Sequence, residues 1–298
     1  MKTTMNYLLA ASALLLASCG SGNNHYDAMG TFEATEVIVS SEANGKLMRF
    51  EVVEGQRLDM GQEVGYVDTV QLYLSKVRLQ ESNHAVLSRL PDIKKQIAAT
   101  REEIDKQRAE KVRYEALVAG NAANQKQVDD IESRLKVLEK QLEAQLSTLQ
   151  NNTRSLSGES AAIMAQIEQM EDQLRKCHIV SPINGTVLVK YAEQGELAMP
   201  GKALFKVADM DQVFLRAYVT SDQLSTMKTG QEVTLFADYG ADNLKEYKGT
   251  VTWISDKAEF TPKSIQTKNE RANLVYAVKI AVKNDGYLKI GMYGQIKL

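Results

Sequence analysis

From residue 128 onward an apolar or weakly polar side chain returns at every seventh position: Val128, Leu135, Leu142, Leu149, Leu156, Ile163, Met170 and Cys177. A second series, Ile131 and Leu138 and later Ile167 and Leu174, supplies the other seam position at both ends and falters between them. Spacing of seven is the signature of helices packed along one narrow stripe. Upstream, Leu72, Leu79, Val86 and Ile93, with Leu90, Ile97 and Ile104, form a comparable stripe. Two helical arms are therefore predicted, at about residues 70–118 and 124–176. The Gly120 and Asn121 between them suit the end of one helix and the start of the next. Nearly equal arms about a tight turn make an antiparallel hairpin, each arm roughly 70–80 Å long at 1.5 Å per residue. Centring the turn between Asn121 and Ala122 sets Pro91 opposite Asn152, inside the helix-poor run of residues 151–153. Two readings are open: a joint that weakens both arms at one height, or a proline kink in one arm alone.

On either side of the hairpin the pattern changes. Shifting the chain by 140 aligns residues 41–45 (Ser-Glu-Ala-Asn-Gly) with 181–185 (Ser-Pro-Ile-Asn-Gly). Gly45, Gly55 and Gly61 then fall on Gly185, Gly195 and Gly201, and Val67 falls on Val207. Short runs of alternating Val and Leu between the glycines predict small β-hairpins, so residues 39–69 and 177–209 are two halves of one pseudo-symmetric sandwich. Beyond Met210 the sequence predicts strands at 213–219, 231–236, 249–255, 274–282 and 293–297. A short helix opened by a Ser-Asp cap at 221–228 completes a small β-barrel over residues 210–298.

Composition sharpens this division. Residues 74–176 hold two of the 18 glycines, one of the four prolines and a single aromatic, Tyr114, which excludes one globular enzyme domain over the whole chain. The hairpin carries 17 basic and 16 acidic residues between 70 and 176, a solvated face. The net charge of -2 gives no reason to expect a nucleic-acid partner.

The N-terminus has a short positive start, an apolar run at 7–17 too short to span a bilayer, and then Leu16-Ala17-Ser18-Cys19. This ending resembles the bacterial lipobox. The resemblance implies a signal peptide at 1–18, acylation of Cys19, and a polar tether that with the first strand occupies 19–38. The alternative is a plain secretory signal with an incidental cysteine. With Cys19 acylated, Cys177 has no partner in the chain and is expected as a small buried apolar residue.

The segment 180–187 (Val-Ser-Pro-Ile-Asn-Gly-Thr-Val), followed by Gly195 and Gly201, resembles the lipoyl or biotinyl half-motif. Two such halves separated by a helical hairpin are similar to the periplasmic adaptor proteins, also called membrane fusion or HlyD-type secretion proteins. The resemblance covers about residues 31–298. It implies an elongated α+β fold: a split lipoyl-like β-sandwich interrupted by a coiled-coil hairpin and followed by the barrel. The turn that would carry a lipoyl or biotinyl lysine is replaced by the hairpin after Val67 and Asp68, so no cofactor is expected.

The block 260–271 resembles adaptors that serve ATP-binding-cassette (ABC) exporters, which makes that transporter class favoured and the resistance-nodulation-division (RND) or major-facilitator (MFS) classes possible. The chain ends at Leu298, and a full fourth, membrane-proximal domain is not expected. By resemblance, Arg113 and Leu117, with Gly120 in the turn and Asn124 in place of the family's serine, would flank a tip that meets a TolC-like outer-membrane channel. The alternative makes Leu117 the last seam residue and Arg113 a solvated charge. Gln194 and Glu196 would face a central pore of a homo-oligomer, expected as a hexamer, or lie in an ordinary surface turn. Lipid anchoring would hold the protein at the periplasmic face of the inner membrane of a Gram-negative bacterium. A structural coiled-coil envelope lipoprotein is the rival reading.

Catalytic chemistry is not found. His25, His84 and His178 are far apart in sequence with no second ligand at a metal-binding spacing. Residues 195–203 fail as a phosphate loop, because five residues separate the glycines and alanine follows the lysine. No nucleophile elbow or carboxylate cluster is present, and no enzyme activity is expected.

Overall fold

The computed structural model describes residues 27–240, 243–260 and 274–297. The helical hairpin, among the described residues, is built of α1 (Val70–Ser88), α2 (Ile93–Ala119) and α3 (Gln125–Lys176). The first arm breaks between α1 and α2, while α3 runs unbroken through 151–153. The joint therefore lies in one arm only. Pro91 lacks an N–H and biases Leu90 away from helix, whereas Asn and Thr cost a helix only tenths of a kcal/mol. Thr153 also satisfies its hydroxyl locally, donating to the Leu149 carbonyl at 2.9 Å. Asp92 caps the restart by accepting from the Lys95 amide at 3.2 Å.

Val86, Ile97 and Ile104 of the first arm and Val128 and Ile167 of α3 are the buried seam residues. Leu90, expected in the stripe, sits in the break and is exposed. Where the second seam series falters, polar side chains meet across the arms. Thr100 Oγ1 donates to Gln145 Oε1 at 3.0 Å, and Ser160 Oγ donates to Asn83 Oδ1 at 2.7 Å. Such pairs cost stability but fix register.

Strands β1 (Ala28–Ser40), β2 (Gly45–Phe50), β3 (Arg57–Leu58) and β4 (Glu63–Val67) precede the helices. After them come β5 (His178–Val180), β6 (Gly185–Lys190), β7 (Leu197–Ala198), β8 (Ala203–Val219), the short α4 (Ser221–Leu224), β9 (Glu232–Asp238), β10 (Leu244–Phe260), β11 (Leu274–Lys283) and β12 (Tyr293–Lys297). Two separate cores result. One is built from Leu47, Val52, Leu58, Val64 and Val67 together with Val187, Ala192, Ala198, Leu204 and Val207. These are five positions and their counterparts 140 residues later.

The halves do not fold side by side; they exchange strands and hydrogen bonds. β3 pairs with β6, and β7 pairs with β2. The Gly55 amide donates to the Val187 carbonyl and the Gly195 amide to the Leu47 carbonyl, each at 2.8 Å. Gly61 donates to Ser181 at 2.8 Å, and Gly201 to Ser41 at 2.9 Å. All four glycines have φ between 82° and 95°, in the region that other residues avoid. Ser41 and Ser181 are both buried, and each donates its hydroxyl to the carbonyl two residues on at 2.7 Å.

The second core fills a closed ring in which β1, β12, β9, β10, β11 and β8 pair in turn and β8 returns to β1. The sequence reading placed this ring wholly within 210–298. The structure corrects that, because residues 28–34 of β1 supply a strand and continue upward into the other core. The helix expected at 221–228 stops at Leu224, with Met227 turned into the ring core. β1 and β8 are the two strands that run through both cores, and their ladder shifts register between Ala34 and Thr35, leaving residues 210–212 of β8 bulged. Arg57 spans this junction with two bonds to the Asp211 carboxylate, at 3.1 and 2.5 Å.

Candidate functional site

The hairpin tip is set by backbone chemistry. α2 ends in a Schellman arrangement in which the Asn121 amide donates to Val118 at 3.0 Å and the Ala122 amide to Leu117 at 2.8 Å. Asn121, not Gly120, takes the left-handed conformation, with φ 59°. Asn tolerates that region better than other non-glycine residues. Asn124 then caps α3, its Oδ1 accepting from the Lys126 amide at 3.1 Å while Gln127 reaches back to the Asn124 amide in a capping box.

Arg113, Leu117, Gly120 and Asn124 thus gather at one end of the hairpin. Arg113 is exposed, lies over the Tyr114 ring at 5.4 Å, and donates to Glu110 at 2.5 Å. Leu117, one turn on, is 39% exposed. Asn124 is committed to the cap. A serine hydroxyl at this position would cap equally well. Sequence reasoning missed the part played by Asn121, although an asparagine following Gly at a helix end is a usable signal.

Gln194 and Glu196 lie in the loop between β6 and β7, apart from the tip. Gln194 Nε2 donates to the Met48 carbonyl at 3.0 Å. Lys202 donates to Glu196 at 2.8 Å, and this bond, together with a backbone contact at Glu193, holds the Glu196 carboxyl below its ordinary range. Both side chains are exposed and already partnered within the chain. Leu197 and Met199 beside them are exposed apolar residues.

Cys177 closes the root of α3, fully buried, its thiol donating to Gln173 at 3.3 Å; burial raises its pKa. His178 pairs with Glu63 at 3.0 Å, and His84 lies on α1. Among the described residues no group of three or more metal-ligating side chains comes together, and no helix is long and apolar enough to cross a membrane. Cys19, the signal segment, His25 and residues 261–273 lie outside the described residues.

No family model matches the chain. Among curated proteins it is 27% identical to a UPF0194 membrane protein of Yersinia enterocolitica, with 93% of each chain covered. A UPF0194 membrane protein of Citrobacter koseri is also 27% identical, over 98% of this chain and 96% of the relative. Among solved structures, MacA from Actinobacillus actinomycetemcomitans superposes over 90% of this chain and 76% of its own, with TM-score 0.54 and 19% identity. The membrane fusion protein Spr0693 from Streptococcus pneumoniae R6 covers 91% and 97%, with TM-score 0.52 and 18% identity. The resemblance to membrane fusion proteins is a shared fold over nearly all of the described chain.

Proposed function

We propose that this chain is a periplasmic adaptor: a non-catalytic subunit that links an inner-membrane exporter to an outer-membrane channel and helps to enclose the conduit between them. The observation that carries this reading is the exchanged pair of half-repeats from whose middle a capped hairpin projects, with a strand ring on the other side. A plain envelope spacer needs a rod but neither of these modules. Exchanged halves with glycine turns are what a lipoyl-like fold requires, and the six-strand ring fits the barrel of such adaptors.

On this reading Cys19 carries lipid at the periplasmic face of the inner membrane. More than one acyl chain gives a stable anchor, where one binds only marginally. Arg113 and Leu117 meet the channel's own helices, while Gly120 and Asn124 hold the turn that presents them. The ABC class of exporter is favoured by the block 260–271. Copies assemble into a ring, expected to be of six, around the export path. Gln194 and Glu196 face that path from an exposed loop in which they are bonded to Met48 and Lys202.

Two measurements test the reading. Intact-mass spectrometry of the mature protein should show an acylated Cys19 as its first residue; an unmodified N-terminus refutes the anchor. Leu117→Asp should abolish export while leaving helicity and melting unchanged, since Leu117 is already partly in water. Normal export by that variant refutes the docking tip.

A further inference from the structure

Alternate side chains of β9 and β10 fill the strand ring: Leu235 and Ala237 from one strand, Val251 and Tyr247 from the other. Two residues further along each inward line stand Tyr239 and Lys245, past the core and at the mouth of the ring. The turn that follows β11 meets them there with Asp285 and Tyr287. Lys245 Nζ lies 5.5, 5.4 and 5.5 Å from the ring centroids of Tyr239, Tyr247 and Tyr287, and it donates to Asp285 Oδ2 at 2.5 Å. Three aromatic rings and one carboxylate around an ammonium are the recognition chemistry of an alkylammonium ion. The bond to Asp285 holds the Lys245 pKa above its ordinary value, so the occupant is a cation at neutral pH.

The walls of this site are held by bonds that do not involve the lysine. Tyr247 Oη and the Tyr287 amide both donate to Asp285 Oδ1 at 3.1 Å, which fixes the carboxylate. Tyr287 Oη donates to the Asp238 carbonyl at 3.2 Å, and its ring lies 4.7 Å from that of Tyr239. Behind them Asn284 ties the turn together. Its Nδ2 donates to the Met210 and Leu288 carbonyls at 2.8 and 3.1 Å, and its Oδ1 accepts from the Gly286 and Leu288 amides at 2.9 and 3.0 Å. Leu288 is fully buried in the ring core and anchors the turn to it. Tyr247 is buried, whereas Tyr239 is 50% exposed, so the site opens to solvent on the Tyr239 side.

We propose that this mouth is a binding site for the primary alkylammonium group of a small molecule, and that Lys245 is a resident occupant that keeps it shut. The ligand's ammonium takes the place of Nζ and donates to Asp285, while its alkyl stem leaves past Tyr239. Mouths of β-barrels commonly hold ligands in this way, with a few fixed polar groups set among aromatic walls. A quaternary ammonium suits the rings but has no hydrogen to give the carboxylate, so a primary amine fits better. Residues 238–248 and 283–289 hold four acidic and four basic residues. No general field therefore draws cations in, and selection rests on the three rings and Asp285. Because the site is competent only while Lys245 is out of it, the apparent affinity of the parent is reduced by that fraction of time.

The test uses the full-length acylated protein in detergent, as the parent and as Lys245→Ala, with n-butylammonium as the probe and saturation transfer from aromatic protons as the readout. Lys245→Ala should bind the probe with a dissociation constant of the order of millimolar, about tenfold or more tighter than the parent. n-Butanol, of similar shape and without charge, should receive no transfer. Asp285→Asn in the Lys245→Ala background keeps an acceptor carbonyl and loses the charge, and should weaken binding about tenfold. A Lys245→Ala protein that folds only when the probe is present supports the site; one that stays unfolded with the probe shows that the walls need the lysine and overturns it. A folded Lys245→Ala protein without transfer makes Lys245 a structural tie alone and overturns the proposal. Equal transfer in parent and variant, or transfer to n-butanol as strong as to the amine, places the probe elsewhere and overturns it too.

Discussion

Replacing Leu204 by Ala tests whether the two half-repeats are one energetic unit. Leu204 is fully buried in the half-repeat core, and its carbonyl accepts from the Tyr191 amide, a bond that truncation of the side chain leaves in place. The perturbation is therefore a loss of packing alone. Leu-to-Ala changes in well-packed cores cost about 2.7–5 kcal/mol; at about 3 kcal/mol, with 1.4 kcal/mol per decade, the open population rises about a hundredfold. The substitution lies in the second half, yet the first half's Gly55 and Gly61 amides donate to Val187 and Ser181 of the second. Native-state hydrogen exchange should accelerate by about that factor at Gly55 and Gly61 as well as at Gly195 and Gly201. Amides near the start of α3, close to the tip, should keep their protection. Acceleration confined to residues 185–207, with Gly55 and Gly61 as protected as before, would show that the halves open independently and would refute the coupling.

Three further outcomes follow from local geometry. Asn121→Ala, which forces a Cβ residue with less tolerance into the left-handed region, should destabilise the tip by about 1 kcal/mol, read as faster exchange of the Ala122 amide; Asn121→Gly should not. Pro91→Ala restores the missing N–H and should let α1 and α2 fuse, raising the far-ultraviolet helical signal by about one turn; an unchanged signal would mean that α3 imposes the break. The Asp285 carboxyl is held below its ordinary value of 3.8, first by the hydrogen bond from Lys245 and then by the Tyr287 amide. A carboxylate with a depressed folded pKa contributes stability that is present above its unfolded value and lost as pH falls through the lowered one. Asp285→Asn should therefore be less stable than the parent at neutral pH, the difference shrinking below 3.8, as measured by urea midpoints.

What the sequence disclosed tracks how regular each signal is. The heptads of α3 and the 140-residue repeat are periodic, so the hairpin and the paired halves are legible in the sequence itself. The seam's polar interruptions were not interpretable alone, because whether Gln145 or Ser160 is a defect or a register pin depends on Thr100 and Asn83 in the other arm. The break at Pro91 was legible as chemistry but not as architecture: only the packed structure distinguishes one weakened arm from two. Closure of the ring by β1 was missed because a strand's partners are set by long-range pairing, and residues 28–34 read no differently from any edge strand. At the tip, Arg113 and Leu117 were marked by resemblance. Asn121 had a local signal that was assigned to general turn chemistry and not to the one left-handed position.

The central claim, that this chain bridges two membrane proteins, is tested most directly by affinity purification of the tagged, acylated protein from cross-linked cells, beside its Leu117→Asp variant. The account predicts that the parent brings down an inner-membrane transporter and an outer-membrane channel together, in a complex with several copies of this chain per channel. The variant should keep the transporter and lose the channel. A parent protein that retains neither, or an assembled complex with one or two copies per channel, would contradict the enclosed conduit and return the hairpin to the part of a spacer.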